Sequence, residues 1–235
     1  MLKATIHRLG RWYLGQILES EAESQKARAI NERPIELAFL FQALSDLRPA
    51  RVLDVGPGTS PLPAVLHGCG CHVTAIDNIS DYWPRGMFNR YWHVIDEDIR
   101  SPSSLRADFD FISCISVIEH IDDAAAAFRS MIALLIPGGH LVLTMPYNET
   151  KYVEDVYKLP GGDLGDPQDY CCACYNRAVL DQWLAEAPPA RIVRQDYWQF
   201  WSGDVWRQGH RLTHSIRTAA DRPHQLTCAL IRRTC

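Results

Sequence analysis

The order of apolar and polar residues predicts helices at the start of the chain. Five apolar side chains recur at steps of three and four, which places them on one stripe of a helix. They are Leu2, Ile6, Leu9, Tyr13 and Ile17. A second helix is predicted over about 34–47, because Pro34 suits a first helical position and apolar residues repeat behind it. The first fifty residues are therefore expected to be helical.

From residue 51 the pattern changes to short apolar runs separated by helical stretches. Strands are predicted at 52–55, 72–76, 92–95, 109–115, 141–145, 191–198 and 226–232. Helices are predicted after residue 58, over 121–135 and over 176–187. Strands and helices that alternate at this spacing predict an α/β fold, with a mainly parallel sheet of seven strands and helices on both faces.

Composition and charge narrow the classes of protein that fit this pattern. The chain has 235 residues, of which 47% are hydrophobic and 22% charged, as in a typical soluble globular protein. Its net charge of −4 argues against bulk attraction to nucleic acid or to an anionic membrane. No apolar run is long enough to span a membrane, the start of the chain is unlike a secretory signal, and the cysteines fit reduced thiols. We expect a cytoplasmic protein whose partners include neither nucleic acid nor a membrane.

Two features follow the carboxyl ends of the first two predicted strands. The first strand runs through Asp54 into the turn Gly56-Pro57-Gly58, where glycines allow a sharp bend and the close approach of a ligand. The second strand ends at Asp77, whose carboxylate can accept hydrogen bonds from both hydroxyls of a ribose. Together they predict an adenosine-type ligand at the carboxyl edge of the sheet, rather than a plain turn and a surface aspartate.

The residues around these glycines indicate which kind of nucleoside ligand fits the turn. A dinucleotide-binding fold has a third glycine, or an alanine, where this chain has Pro61. No GxxxxGK[ST] loop follows that would hold a triphosphate. The carboxylate of Asp54 would repel a pyrophosphate but tolerate a cationic sulfonium ligand. These residues disfavour a nicotinamide-dependent oxidoreductase, which stays as an alternative.

Five segments carry a resemblance to a known family. They are 52–59 (VLDVGPGT), 76–77 (ID), 96–99 (DEDI), 109–121 (FDFISCISVIEHI) and 134–141 (LLIPGGHL). In this order they resemble the motifs of class I S-adenosylmethionine-dependent methyltransferases, although Ser60 stands where many members have a third glycine. The resemblance covers about residues 48–146. It implies a Rossmann-like fold, S-adenosylmethionine as the cofactor and a small-molecule methyl acceptor.

The resemblance also implies a role for each matching residue. Asp54 and the backbone at Gly56 and Gly58 would face the methionine part of the cofactor, and Asp77 would bind the ribose hydroxyls. The others are Asn78 and Ile79 beside the adenine, Asp98 at its amino group, Ile99 against its ring, and Ser116 and Val117 near the methyl group. The N-terminal stripe is either a helix docked on the edge of the sheet or a lid that brings Tyr13 to the methionine carboxylate.

Three residues after the fourth and fifth strands are candidates for catalysis. His120 would act as a general base toward a hydroxyl, since an imidazole titrates near neutrality. Alternatively, Glu119 and His120 only support the end of the strand. Tyr147 and Asn148 either orient the acceptor or form a turn.

The stretch between the last two predicted strands, 199–225, is longer than a hairpin link. It contains Trp201, Trp206 and Arg207, which suit a sugar ring, an aromatic acceptor or a carboxylate. This hypothesis makes them substrate-binding residues. The alternative is a helical cover whose core stripe includes Leu212 and Ile216.

A group of cysteines and histidines invites comparison with a zinc site. Cys171, Cys172 and Cys174 form a short cluster, and His210 and His214 form a pair. The long gap between the two groups, and a helix predicted directly behind Cys174, disfavour coordination. No metal is therefore expected.

We expect one methyltransferase domain over 1–235, with N-terminal helices (1–50), a cofactor-binding core (51–146) and an acceptor-binding part with an inserted cover (147–235). Its expected function is methyl transfer from S-adenosylmethionine to a small molecule, with an oxygen on a sugar or secondary metabolite as the favoured acceptor. Transfer to nitrogen or carbon, or binding of S-adenosylmethionine without catalysis, are the alternatives. A homodimer is left open.

Overall fold

The computed structural model describes residues 2–24, 31–83, 86–159 and 171–235. The chain divides into two units, Met1–Ile35 and Glu36–Cys235. The first unit contains α1 (Leu2–Ser24) and the start of α2 (Arg33–Leu47). Both predicted N-terminal helices are therefore present. On α1 the side chains of Ile6, Leu9 and Tyr13 are exposed.

The second unit alternates strands and helices, as the sequence pattern predicts. Its helices are α3 (Leu62–Gly68), α4 (Ile79–Tyr82), α5 (Ala124–Leu134) and α6 (Arg177–Glu186), with 3₁₀ turns at Ile118–His120 and Val156–Lys158. Its strands are β1 (Arg51–Val55), β2 (His72–Asp77), β3 (Ile95–Asp96), β4 (Phe109–Ile115), β5 (Leu135–Pro146), β6 (Ala190–Trp201), β7 (Arg211–Thr218) and β8 (Leu226–Arg233). Polar side chains begin two of the helices, since Asp123 caps α5 and Asn176 caps α6 by accepting backbone N–H bonds of 3.0 Å.

The strands that the structure describes form one sheet in the order β3-β2-β1-β4-β5-β8-β6-β7. The first five strands of the chain pair in parallel. β8 lies antiparallel between β5 and β6, and β7 pairs antiparallel with β6 at the edge of the sheet. The carboxyl ends of β1, β2, β4, β5 and β6 therefore meet at the same edge, which places the segments that follow them close together.

Helices cover both faces of the sheet, because each face carries apolar side chains that must be buried. One face packs against α5 and α6, with Phe128, Met131 and Trp183 in the shared core. The other face meets α2, whose Phe39 and Leu40 are buried. On that side the Arg194 guanidinium of β6 lies 4.4 Å from the centre of the Phe39 ring.

The α/β fold with a mainly parallel sheet is confirmed, and three details are corrected. The sheet has eight strands in the described chain, not seven. The third strand is only Ile95–Asp96, shorter than the predicted 92–95. The stretch 199–225 contains the strand Arg211–Thr218 and not a helical cover. Leu212 and Ile216 fit both structures, since residues four apart share a face in a strand as well as in a helix.

Among residues 2–24, 31–83, 86–159 and 171–235, no helix is long and apolar enough to cross a bilayer.

Candidate functional site

The turn after β1 is built on two glycines with left-handed backbones. Gly56 has φ +68° and Gly58 has φ +53°. The Gly56 N–H donates to the carbonyl of Ile76 on β2 at 2.8 Å. A Cβ at position 56 would lie 2.5 Å from Cγ1 of Val117, so the turn and the segment after β4 leave no room for a side chain. The predicted residues Gly56 and Val117 therefore lie side by side.

Asp77, the predicted ribose ligand, lies at the end of β2 with its carboxylate against this turn. The residue is 9% exposed, and its Oδ2 accepts from the Gly58 N–H at 2.9 Å. Its Oδ1 accepts from the indole N–H of Trp83 at 3.0 Å. Trp83 was not predicted as a site residue. Its only signal in the sequence is that it is one of several aromatic residues in the irregular stretch behind the second strand.

Asp54 lies within β1 rather than in the turn itself. It is buried, and its Oδ1 accepts from the hydroxyl of Ser113 at 2.6 Å. Because the two residues are opposite each other on β1 and β4, the strand register alone produces this contact. The Asp54 carboxyl group therefore lies inside the sheet, two residues before the glycine turn.

The residues predicted around an adenine lie at the carboxyl ends of β2 and β3. Asn78 precedes α4, and the Ile79 N–H donates to Oδ1 of Asp96 on β3 at 2.8 Å. Ile79 also lines a surface cavity of about 440 Å³ together with residues 87–94. The cavity therefore lies directly beside the end of β2.

The two residues predicted at the adenine amino group and ring differ in their surroundings. Asp98 accepts from the Arg100 guanidinium at 2.9 Å, and these bonds hold the pKa of the Asp98 carboxyl below its ordinary value. Ile99 is buried and belongs to the hydrophobic core. In this structure Asp98 is therefore bonded to Arg100, and Ile99 is packed in the core.

Ser116 stands directly after β4 and has an unusual backbone, with φ +51°. Its N–H donates to the hydroxyl of Thr144 on β5 at 3.0 Å. The hydroxyls of Ser116 and Thr144 each donate to Oε1 of Glu36 at 2.6 Å. Glu36 is a fully buried residue of α2 that sequence reasoning missed, because a single glutamate in a helix is ordinarily exposed. The carboxylate of Glu36 thus ties α2 to the carboxyl ends of β4 and β5.

His120 ends the 3₁₀ turn that follows β4. Its Nδ1 lies 2.6 Å from the carbonyl oxygen of Cys171, and because a carbonyl can only accept, Nδ1 carries the proton. Its Nε2, 3.9 Å from Oε1 of Glu119, then carries the lone pair. Burial lowers the pKa of His120 below its ordinary value. The imidazole is therefore neutral near pH 7 and can accept a proton.

The two candidates after β5 are held by hydrogen bonds within the fold. Tyr147 is fully buried, and its hydroxyl donates to Oε2 of Glu149 at 2.9 Å. Burial also raises the pKa of Tyr147 above its ordinary value, so the hydroxyl stays protonated. Asn148 accepts from the N–H of Lys151 at 2.9 Å and donates to the carbonyl of Asp204 at 2.7 Å. Asn148 therefore forms a turn and also holds the loop after β6.

The aromatic residues at the end of β6 and behind it form a buried cluster at the same edge of the sheet. Trp201 is 4% and Trp206 9% exposed, and their ring centres are 6.4 Å apart. The side chain of Gln225 fixes the start of this loop, since its Oε1 accepts from the Trp201 N–H at 3.0 Å. The Arg207 guanidinium lies 5.4 Å from the ring centre of Tyr157. The loop is thus packed against the rest of the unit.

The cysteine cluster lies beside His120 and not at the glycine turn. Cys172 and Cys174 are buried, and burial raises the pKa of the Cys174 thiol to about 12. Within residues 2–24, 31–83, 86–159 and 171–235, no group of three or more histidine, cysteine, aspartate or glutamate side chains could hold a metal ion. Tyr13 lies in the first unit, and its predicted contact with a cofactor stays a prediction.

Three comparisons with known proteins bear on this site. The profile of a family described as "Methyltransferase domain" matches residues 27–211. Ubiquinone biosynthesis O-methyltransferase from Xanthomonas oryzae pv. oryzae (strain PXO99A) is 31% identical over 140 residues, which cover 57% of this chain and 55% of that protein. The protein of the same name from Alkalilimnicola ehrlichii is 27% identical over 192 residues, covering 75% and 72%. The alignment with the first of these relatives spans about half of its length.

A solved structure supports the fold. The Burkholderia thailandensis 1,6-didemethyltoxoflavin-N1-methyltransferase, with bound 1,6-didemethyltoxoflavin and S-adenosylhomocysteine, superposes with a TM-score of 0.55. The match covers 97% of this chain and 90% of that chain, at 16% sequence identity. At that identity the similarity shows a shared fold and not a shared substrate.

Proposed function

The chain belongs to the methyltransferase domain family, and from that premise we propose that it transfers a methyl group from S-adenosylmethionine to an oxygen atom of a small molecule. A sugar or a secondary metabolite is the favoured acceptor. The observation that carries the proposal is the pairing of Gly58 and Asp77, whose N–H and carboxylate lie 2.9 Å apart. A glycine turn beside a carboxylate at the carboxyl edge of a parallel sheet is what a nucleoside site requires.

The residues at this edge fit S-adenosylmethionine. Gly56 and Gly58 present backbone without a Cβ, and the Asp77 carboxylate accepts from two donors, as the two hydroxyls of a ribose require. The buried carboxylate of Asp54 favours a cationic ligand over a pyrophosphate, because like charges repel strongly where water is excluded. When bound, S-adenosylmethionine supplies a methyl group on a positively charged sulfur. The protein's task is then to hold the acceptor in line with it.

His120 is the base in this proposal. Its Nδ1–H bond to the Cys171 carbonyl fixes the ring and leaves the lone pair on Nε2. An acceptor hydroxyl needs to lose its proton during methyl transfer, and a neutral imidazole near neutral pH is suited to take it. The side chain of His120 is partly exposed, which leaves the ring open to an acceptor.

The acceptor would bind where the loops after β5 and β6 meet. Asn148 links them through the Asp204 carbonyl, and Lys151 forms an ion pair with the Asp204 carboxylate. We assign Trp206 and Arg207, which follow in the same loop, to the acceptor side of the site. The curated relatives are named for O-methyl transfer in ubiquinone biosynthesis, which supports oxygen as the acceptor atom.

Asp77→Asn tests the cofactor site. The matched control is Asp81→Asn, which removes an exposed carboxylate on α4 in the same segment. Isothermal titration with S-adenosylhomocysteine should give an affinity for Asp77→Asn that is at least about tenfold weaker than for the wild type, because hydrogen bonds to a charged acceptor are lost. Asp81→Asn should bind like the wild type.

The reaction is tested with acceptors of different chemistry. The protein and S-adenosylmethionine are incubated with phenols, sugars, carboxylic acids and amines, and the release of S-adenosylhomocysteine is measured. Turnover with an oxygen acceptor supports the proposal. Turnover with amines alone contradicts the choice of oxygen, and stabilisation by NAD without binding of S-adenosylhomocysteine contradicts the proposal as a whole.

A further inference from the structure

The indole of Trp83 lies across the two groups that the proposed cofactor needs. Its Nε1–H donates to Oδ1 of Asp77 at 3.0 Å. Its six-membered ring lies over Gly58, with Cζ2 3.3 Å and Cη2 3.5 Å from the place where a Cβ of Gly58 would stand. The side chain therefore bridges the glycine turn and the carboxylate, the same two features that a bound ribose would bridge.

Ile79, before Trp83, and Asn89, after it, are held by hydrogen bonds that do not involve the indole. Before it, the Ile79 N–H at the start of α4 donates to Asp96 at 2.8 Å. After it, the buried side chain of Asn89 donates to the carbonyls of Gly58 and Ser60, each at 2.8 Å. Replacing the indole therefore removes none of these three hydrogen bonds.

We propose that Trp83 is an internal ligand of Asp77 that occupies the place of the ribose and leaves when the cofactor binds. The inference rests on the proposed function, since it concerns the same cofactor. The indole N–H stands in for one hydroxyl of the ribose, and its ring covers the turn that the nucleoside must approach. The cofactor binds only the fraction of molecules in which the indole has left, so its apparent affinity is lower by that fraction. Trp83 thereby sets the affinity of the protein for its cofactor.

Two substitutions separate the N–H from the ring. Trp83→Phe keeps an aromatic ring but removes the donor to Asp77, and Trp83→Ala removes both. Trp198→Phe is the matched control, because Trp198 lies on β6, which four strands of the sheet separate from β2. Thermal melting of each variant shows whether it is folded.

Isothermal titration with S-adenosylhomocysteine and with S-adenosylmethionine tests whether Trp83 lowers the affinity for the cofactor. Loss of a hydrogen bond to a charged group should tighten binding by about tenfold or more in Trp83→Phe. Trp83→Ala should bind at least as tightly, and Trp198→Phe should match the wild type. Equal or weaker binding by both Trp83 variants, with intact binding by the wild type, overturns the inference and leaves the proposed function standing. Absence of binding in all four proteins overturns both.

Fluorescence gives a second readout that does not depend on affinity. The chain has seven tryptophans, so the contribution of Trp83 is obtained as the difference between the wild type and Trp83→Phe. Saturation with S-adenosylhomocysteine should change this difference spectrum, because the indole moves away from Asp77. A difference spectrum that saturation leaves unchanged overturns the inference.

Discussion

Substitution of Gly56 by alanine tests how the glycine turn is built. The position combines a left-handed backbone, φ +68°, with a neighbour that leaves no space. A Cβ there would lie 2.5 Å from Cγ1 and 2.7 Å from Cγ2 of Val117. Alanine therefore suffers both backbone strain and a collision with the segment after β4.

The two effects can be estimated separately. A left-handed conformation costs a residue with a Cβ about 1–2 kcal/mol. Overpacking against the partly buried side chain of Val117 costs about 1–3 kcal/mol more. Gly56→Ala should therefore lower the free energy of unfolding by about 2–5 kcal/mol. For a chain of this size, this corresponds to about 2–4 °C of melting temperature for each kcal/mol.

Gly86→Ala isolates the backbone effect. Gly86 has almost the same φ, +72°, but among the described residues other than its chain neighbours no atom lies within 4 Å of the place for its Cβ. This variant should lose only about 1–2 kcal/mol. In a background of Val117→Ala, Gly56→Ala should recover part of its stability, because the two γ carbons that it meets are gone.

Urea unfolding curves followed by circular dichroism measure all four variants. If Gly56→Ala and Gly86→Ala lose the same stability, or if Val117→Ala gives no recovery, the collision with Val117 does not determine the sequence at this position. The glycine would then be required for its backbone alone.

Two further predictions concern His120 and His224. Burial lowers the pKa of His120 and of His224 below the ordinary 6.5, so the unfolded chain binds more protons than the folded one. The free energy of unfolding should therefore fall as the pH drops below about 6.5. Urea unfolding at a series of pH values should show that this fall is smaller in His224→Gln than in the wild type. An equal fall in both proteins would contradict the prediction. If His120 is the base, kcat should stay constant down to about pH 6.5 and fall only at a lower pH, because burial lowers the pKa of His120. His120→Gln should be slower by about 10²–10⁴-fold. A variant as fast as the wild type would remove His120 from the mechanism.

Most of the fold follows from local patterns in the sequence. The strand Phe109–Ile115 was predicted with its observed bounds. A mostly apolar run of this length is typical of a buried parallel strand and is short for a helix. β5 begins at Leu135, earlier than the predicted 141, although Pro137 and the two glycines behind it favour a turn. β7 was missed because Leu212 and Ile216 are spaced as well for a helix as for a strand. Its pairing with β6 is a tertiary contact, which the local pattern does not contain.

In the candidate site, too, some contacts could be predicted from the sequence and others could not. The closeness of Gly58 and Asp77 could be predicted, because β1 and β2 are parallel and end at the same edge of the sheet. The contacts of Glu36 with Ser116 and Thr144 could not, since they join residues far apart in sequence and depend on how α2 lies on the sheet. The position of Trp83 depends on an irregular segment, for which no periodic pattern exists.

The place of β8 in the sheet has a consequence for biosynthesis. This strand lies between β5 and β6, yet residues 226–233 are made after both of its neighbours. Until they emerge from the ribosome, the nascent chain carries two strands with unpaired edges, which are templates for wrong pairing. Chains that stall before residue 226 should therefore aggregate or require a chaperone, and the half of the sheet beyond β5 closes only when synthesis has passed residue 233.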